Sequence, residues 1–144
     1  MGASDMRRFA AITARYIDRP FERHTCMGVL HAIYSDLGVD VPDSWEELTL
    51  ENYMDAYRRD PRGTQIRMLR LVRSLGRPAS AQNPGLGDLL VVAQNPNKPG
   101  VVAPGFFPAI YTGRGQAITS FLRHGVSVFR LDKRNRPIAA RRMF

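Results

Sequence analysis

The chain changes character at Gly76, and this change limits the possible folds more than any other feature of the sequence. Before Gly76, apolar residues recur at the three- and four-residue spacing of amphipathic helices. After it, short runs of β-branched and aromatic residues alternate with clusters of Gly, Pro, Asn and Ser. Helices followed by a run of strands are typical of an α+β domain. For 144 residues we predict a single domain over residues 1–144, helical at about 5–76 and forming a sheet at about 86–142.

The best defined helix is predicted over residues 26–37. Thr25 is a suitable N-cap, an apolar face follows at helical spacing, and Gly38 provides a left-handed stop. An earlier helix is predicted over residues 5–17 and is ended by Pro20.

Two further helices are predicted before the sheet. The spacing of Ser44 and Glu47 is that of a capping box, which predicts a helix that continues through Tyr53. Pro61 permits a new helix that ends at Gly76. Its apolar side is predicted to hold Ile66, Leu69, Val72 and Leu75, and its other side Arg67, Arg70, Arg73 and Arg77.

The second part of the chain contains about five predicted strands, which we expect to pair into one antiparallel sheet. A tight hairpin turn at residues 112–115 joins two of them. The strands are predicted at residues 89–94, 107–112, 116–120, 126–131 and 138–142. The predicted architecture is therefore N-terminal helices packed on a C-terminal antiparallel sheet.

Positive charge is concentrated in the second part of the chain. Residues 1–60 carry seven Arg against eleven acidic residues, whereas residues 61–144 carry fourteen Lys and Arg against two Asp, and the net charge is +8. Most of the basic residues are Arg, whose planar guanidinium suits bidentate contacts with carboxylate and phosphate. Either an anionic partner covers this surface, or the acidic part of the chain neutralises it within one molecule or between copies. We expect an interface that includes Arg67, Arg70, Arg73, Arg77 and Phe144.

Cys26 is the first candidate for chemistry. It falls in the first turn of a predicted helix, where free backbone N–H groups and the helix dipole favour a thiolate. A lone cysteine is also often a small buried hydrophobe, so both interpretations stay open. A cysteine at a helix N-terminus followed by an antiparallel sheet is the layout of a papain-like hydrolase. With one cysteine and three histidines the chain has no internal disulfide and no all-cysteine zinc site, and we expect no metal and no cofactor.

Three segments resemble NlpC-type cell-wall peptidases. Residues 25–30 (TCMGVL) resemble the family's nucleophile motif Asp-Cys-Ser-Gly-Leu-Val, and residues 86–90 (LGDLL) resemble its Pro-Gly-Asp-Leu-Val. Residues 107–118 (FPAIYTGRGQAI) resemble its His-Val-Gly-Ile-Tyr-x-Gly-x-Gly-x-x-Ile. The similarity covers about residues 15–130 with the motifs in the family's order. It implies a papain-like NlpC-type fold with Cys26 at the position of the nucleophile.

The sequence departs from the family at the catalytic base. In active members the base is the histidine that opens the His-Val-Gly-Ile-Tyr strand, and Phe107 stands in that position here. A phenylalanine accepts no proton, and losing such a base costs several orders of magnitude in rate. The resemblance assigns the third polar group of the site to Thr119 or Ser120, but there is no base for it to orient. We therefore lean towards a domain without catalytic activity.

None of the three histidines is a good replacement for that base. His24 is two residues before Cys26, too close for ordinary triad geometry, and His31 points away from the first turn of the helix. His124 is typical of an exposed loop, and it reaches Cys26 only if the sheet differs from that of the family.

The resemblance implies two functions from different classes. Shortened and divergent members of the family occur in the tails of tailed bacteriophages, which implies a structural tail-tip or baseplate protein that contacts other tail and hub proteins. Such a protein is made in the cytoplasm of the bacterial host and ends in the virion. The alternative is an active cysteine hydrolase that cuts peptidoglycan stem peptides. We expect no nucleic-acid partner, since no known reading helix or stacking sheet is recognisable, and neither a membrane span nor a secretion signal.

Overall fold

A computed structural model describes residues 2–21, 25–94, 105–121 and 123–144. These residues form four helices, all in the first part of the chain, as predicted. Their bounds are α1 Ala3–Tyr16, α2 Cys26–Asp36, α3 Tyr53–Arg59 and α4 Pro61–Ser74.

The same residues form a small hairpin and one large antiparallel sheet. Strands β1 (Ser44–Trp45) and β2 (Leu48–Thr49) pair only with each other. The large sheet has the strand order β3-β8-β4-β5-β6-β7, and every neighbouring pair is antiparallel. Its strands are β3 Arg77–Ala79, β4 Leu89–Gln94, β5 Gly105–Gly113, β6 Gln116–Phe121, β7 Gly125–Arg130 and β8 Asn135–Arg142. The predicted α+β class is confirmed, with six strands in this sheet instead of about five.

Apolar clusters cover both faces of the large sheet. Successive residues of a strand point to opposite faces, so Leu89 and Val91 of β4 face the helices while Leu90 and Val92 face away. The larger cluster joins the apolar faces of α1, α2 and α4 to the sheet. The smaller cluster, on the far face, contains Leu90, Val92, Ala109, Ala117 and Ala140.

Helix α2 begins where its sequence predicts. The Thr25 hydroxyl accepts a hydrogen bond from the Gly28 backbone N–H at 3.1 Å, and Gly38 follows the helix with φ +77°. Near its other end, the buried Tyr34 hydroxyl donates a hydrogen bond to the carbonyl oxygen of Gly87 at 2.8 Å. These contacts hold α2 against the sheet with Cys26 as its first residue.

The predicted capping box at residues 44–47 is wrong. Ser44 and Trp45 belong to β1, and Glu46 and Glu47 form the turn with φ +46° and +69°. The hairpin places Trp45 and Leu48 against α4. Burial of Leu48 and partial burial of Trp45 outweigh a capping interaction that contributes about 1 kcal/mol.

Helix α4 begins at Pro61 as predicted, but Ile66 of its predicted apolar side is exposed, while Leu69, Val72 and Leu75 belong to or pack against the core. Met68, Leu71 and Val72 pack in the core, whereas the side chain of Ile66 is 45% exposed. A stripe with a period of three residues drifts around a helix of 3.6 residues per turn, by about 180° between Ile66 and Leu75. The predicted apolar side therefore does not form one continuous face.

Asp88 joins the start of β4 to the end of β8. Its carboxylate is buried, accepts a hydrogen bond from the Gly85 N–H at 2.7 Å, and pairs with the Arg142 guanidinium through two contacts of 3.1 Å. This pairing raises the pKa of Arg142, so the guanidinium stays charged.

The chain between α1 and α2 is fixed to the sheet at Gly125. The Asp18 N–H donates to the carbonyl oxygen of Val126, and the Val126 N–H donates to that of Arg19, each at 2.8 Å. Gly125 has φ +68°, and a Cβ atom there collides with the backbone carbonyl of Arg19.

We predict that Gly125→Ala lowers the free energy of unfolding by more than about 2 kcal/mol, because it adds this collision to the strain of a left-handed residue. Gly115 is the matched control: its φ is +72°, but a Cβ atom there lies in open space. Gly115→Ala is expected to lower it by only about 1 kcal/mol. Urea unfolding followed by circular dichroism measures both variants, and equal losses contradict the prediction.

Candidate active site

Cys26 borders a cavity of about 220 Å³ between α2, α3 and the end of the large sheet. The cavity is bounded mostly by aromatic side chains and by a few uncharged polar groups. Its described lining residues are Phe21, Cys26, Tyr53, Met54, Tyr57, Gln65, Gln94, Gly105, Phe106, Phe107, Ser120 and Phe121. None of these residues is His, Asp, Glu, Lys or Arg, so this part of the lining offers no charged group.

The Cys26 thiol is buried and neutral. Its side chain is in the core, and its S–H donates a hydrogen bond to the Tyr53 hydroxyl at 3.6 Å. Burial raises the pKa of Cys26. The hydrogen bond between the thiol and the Tyr53 hydroxyl and those from the backbone N–H groups of Met27 and Cys26 lower the pKa but do not compensate for burial. The pKa of Tyr53 is also raised, by burial and then by the thiol beside it.

The motif resemblance places Phe107 at the position of the family's base, and its ring packs in an aromatic cluster. Its centroid lies 5.7 Å from that of Phe121 and 5.6 Å from that of Phe129, with the apolar cluster on the far face of the sheet. Phe106, one residue earlier, packs with the cluster that faces the helices. Both phenylalanines border the cavity, and neither can accept a proton.

Of the two candidates for the third polar position, only Ser120 shares the cavity with Cys26. Its side chain is 5% exposed, and its hydroxyl has no hydrogen-bond partner among the described residues. The Thr119 hydroxyl instead donates to the carbonyl oxygen of Pro108 at 2.8 Å, which ties β6 to β5. Alternation along β6 explains the difference, because neighbouring residues of a strand point to opposite faces.

The histidines that the structure describes do not reach the thiol. His31 is partly exposed on α2, and His124 is exposed in the turn before β7. Neither lines the cavity. His24 lies outside the described residues. Within the described ranges, no group of three or more His, Cys, Asp or Glu side chains could hold a metal ion.

Tyr53 is the site residue that sequence reasoning missed. Its spacing to Tyr57 predicts only packing on a helix, and the two rings do stack at 6.4 Å. Its hydrogen bond to Cys26 joins residues 27 positions apart, and no local pattern in the sequence signals such a contact.

The arginines of the predicted interface do not form one free surface. The Arg67 guanidinium, partly buried, donates to the carbonyl oxygen of Glu46 at 3.0 Å, and Arg70 forms an ion pair with the Glu46 carboxylate at 3.1 Å. Arg73 is exposed on α4. Arg77 does not belong to α4 as predicted; it lies in β3 and donates to the backbone oxygen of Phe144.

Two solved structures share this arrangement of helices and sheet. An NlpC/P60 family protein from Bacillus cereus ATCC 10987 matches 96% of this chain with a TM-score of 0.58 at 18% identity. NlpC2 from Trichomonas vaginalis matches 99% with a TM-score of 0.59 at 14% identity. The chain spans 40% and 48%, respectively, of the lengths of these two proteins. The sequence matches no protein-family model and no curated protein.

The fold is therefore NlpC/P60-like, as the motifs predict. Within it, Cys26 occupies the start of the helix that faces the sheet. The thiol and its described surroundings carry no charge. Among the helices of the described residues, none is both long and apolar enough to cross a membrane.

We predict that iodoacetamide alkylates Cys26 at pH 7.5 roughly tenfold more slowly, or slower still, than it alkylates a free model thiol. Because its pKa is raised, Cys26 has little thiolate at neutral pH. Its alkylation rate should therefore still rise with pH in the range where the alkylation rate of the model thiol has become constant. Mass spectrometry of the intact protein measures the rate. The urea-unfolded protein is the control, and a native rate equal to the unfolded rate at pH 7.5 contradicts the prediction.

Tyr53→Phe removes an interaction that lowers the pKa of Cys26. The midpoint of the alkylation profile is therefore expected to move to still higher pH. Tyr57→Phe changes the same cavity without removing a contact to the thiol, and its midpoint should stay unchanged.

Proposed function

We propose that this chain is a catalytically inactive NlpC/P60-like domain that serves as a structural component of a bacteriophage tail tip or baseplate. The observation that carries the loss of activity is the state of Cys26, a buried neutral thiol that donates to Tyr53 beside described cavity walls without a charged group. A thiol hydrolase needs a thiolate and a group to take its proton.

The energetic cost of hydrolysis in this site is large. General acid–base catalysis contributes about 10²- to 10⁴-fold to a rate, and an attacking thiol held in its neutral form adds a second penalty. Phe107 and its neighbours supply apolar surface to the sheet instead. Phe107, which the resemblance places at the position of the base, thus contributes to packing, which suits a scaffold.

A surface cleft supports a role in an assembly. It has a volume of about 470 Å³ and lies between α1 and the ends of β3 and β8. Two large apolar side chains at its rim, Met6 and Phe144, are each 48% exposed, and the guanidinium groups of Arg77 and Arg142 lie beside them. Arginine next to exposed apolar and aromatic side chains is the composition of many protein interfaces. The cleft brings together Arg77 and Phe144, two of the five predicted interface residues.

The proposed role in a phage tail rests on the motif resemblance to shortened and divergent members of the family. The lack of a catalytic base is compatible with such a structural role. Its expected partners are neighbouring tail-tip and hub proteins, and its expected location is the virion after cytoplasmic synthesis.

We predict that virions of a phage encoding this chain contain it, as mass spectrometry of gradient-purified particles would detect. Cys26→Ala should be incorporated normally and leave the infectious titre within about twofold, because the thiol plays no chemical part. Absence of the chain from purified virions overturns the tail assignment. Normal incorporation with a large loss of titre overturns the assignment as an inactive domain.

The second candidate function is an active hydrolase of peptidoglycan stem peptides. The observation in its favour is the position of Cys26 in the first turn of α2, where the backbone N–H groups of Met27 and Cys26 stabilise a thiolate. Ser120 also offers an unpartnered hydroxyl to the same cavity.

Incubation with purified peptidoglycan sacculi separates the two functions. We predict that mass spectrometry finds the same soluble fragments with the native protein and with Cys26→Ala, since neither cleaves. New stem-peptide fragments that disappear in Cys26→Ala establish the hydrolase.

A further inference from the structure

Two turns at one corner of the large sheet form a strongly basic surface, which we call the basic turn surface. The Leu131 N–H donates to the carbonyl oxygen of Gly115 at 2.8 Å, which joins the turn after β7 to the β5–β6 hairpin. Five exposed cations surround this contact: Arg114, Arg130, Lys133, Arg134 and Arg136.

The basic turn surface has little internal compensation for its charge. Within the described part of the chain, none of the five cations forms an ion pair. The one acid among them, Asp132, accepts hydrogen bonds from the backbone N–H groups of Arg134 and Asn135 at 2.8 and 3.0 Å. A cleft of about 420 Å³ beside it has apolar walls that include Leu131, Pro137 and Tyr111. The surface thus combines unpaired cations with a recess.

A complementary surface lies on the helical side of the same molecule. Residues 40–55 contain six acidic residues and no Lys or Arg, and all six are exposed. Glu46 pairs with Arg70 and Asp55 with Arg58. The other four form no ion pair with any described residue, and we call them the acidic hairpin surface: Asp40, Asp43, Glu47 and Glu51.

Within the described residues of one molecule, the two surfaces form no ion pair with each other. The hairpin β1–β2 packs on α4 through Trp45 and Leu48, and α4 covers the helix-facing side of the large sheet. Tyr111 and Leu131, beside the basic turns, pack with the apolar cluster on the opposite face. The cleft of the basic turn surface and the acidic hairpin therefore lie on different sides of the sheet, and no ion pair joins the two surfaces among the described residues.

We propose that the basic turn surface docks on the acidic hairpin surface of a second copy of this chain. The contact joins two different surfaces, so it is head-to-tail, and it continues into a ring or an open filament. It deepens the proposed structural role by naming a neighbour in the assembly, namely the chain itself.

Local charge decides this contact in spite of the net charge of +8. At physiological ionic strength the Debye length is about 8 Å, so the repulsion between whole molecules is largely screened while apposed side chains still interact. Each exposed pair contributes only about 0.2–1 kcal/mol. Three or four pairs together change an association constant by roughly tenfold or more, and high salt removes most of that gain.

The test reverses each surface separately and then both together. Lys133→Glu, Arg134→Glu and Arg136→Glu reverse the basic turn surface, and Asp43→Lys, Glu47→Lys and Glu51→Lys reverse the acidic hairpin surface. Sedimentation velocity of the native protein at 0.15 M NaCl and tens of micromolar should give species above the monomer mass of 16.2 kDa. Each triple variant should weaken association by about tenfold or more. In a mixture of native protein with either variant, the variant should end the growing assembly, so that only short oligomers form.

The six-fold variant, which carries both reversals, is the decisive sample. Its two surfaces are complementary again, with the signs exchanged, so association should return. A matched control, Arg7→Glu with Arg15→Glu and Arg62→Glu, changes the net charge by the same amount at exposed positions elsewhere and should associate like the native protein.

Three results overturn the proposal. The first is a native protein that stays a monomer at every concentration. The second is a six-fold variant that does not associate although circular dichroism shows that it is folded. The third is a control that weakens association as much as the basic-surface variant does. Salt-sensitive binding of a labelled DNA duplex by a purely monomeric protein assigns the basic turn surface to nucleic acid. None of these results restores a charged group beside Cys26, so the inactive site is judged separately by the sacculi experiment.

Discussion

Burial of the N-terminus of α2 is the constraint on which the rest of the site depends. The Thr25 cap, the apolar face of α2 and the Tyr34 bond to Gly87 hold the helix in the core. Each large apolar side chain buried in this way contributes about 1.5–3 kcal/mol relative to exposure. The same burial removes water from Cys26 and raises the pKa of its thiol. Packing and thiolate chemistry therefore oppose each other at this residue.

In an active thiol site, a positively charged partner stabilises the buried thiolate and so lowers the pKa of the thiol. Here the Sγ atom is hydrogen-bonded to Tyr53, whose own pKa is raised, and the described cavity walls provide no cation. Phe107 fits the same pattern, because its ring fills an aromatic cluster with Phe121 and Phe129. Its apolar ring adds to the second core of the sheet.

The sequence predicted those features that depend on local pattern. Helix α2 was predictable because Thr25, its apolar spacing and Gly38 all indicate the same boundaries, and the buried β4 reads as an apolar run. The β1–β2 hairpin was not predictable from its own residues, since Trp45 and Leu48 are fixed by packing on α4. The partner of Cys26 was missed for the same reason. The sequence also did not predict which face of the sheet each strand residue points to. A shift of the strand by one residue exchanges the faces of Thr119 and Ser120.

The fold shows which charges of the acidic first part and the basic second part of the chain pair with each other and which do not. In the sequence it separates an acidic first part from a basic second part, which allows neutralisation within one molecule. On the fold, Arg70 does pair with Glu46 across α4 and the hairpin, and Arg142 with Asp88 inside the sheet, so part of the charge is indeed used internally. The cations of the basic turn surface form no ion pair with a described residue. In the head-to-tail contact that we propose, this charge acts between molecules, and the sheet sets the direction in which the copies meet.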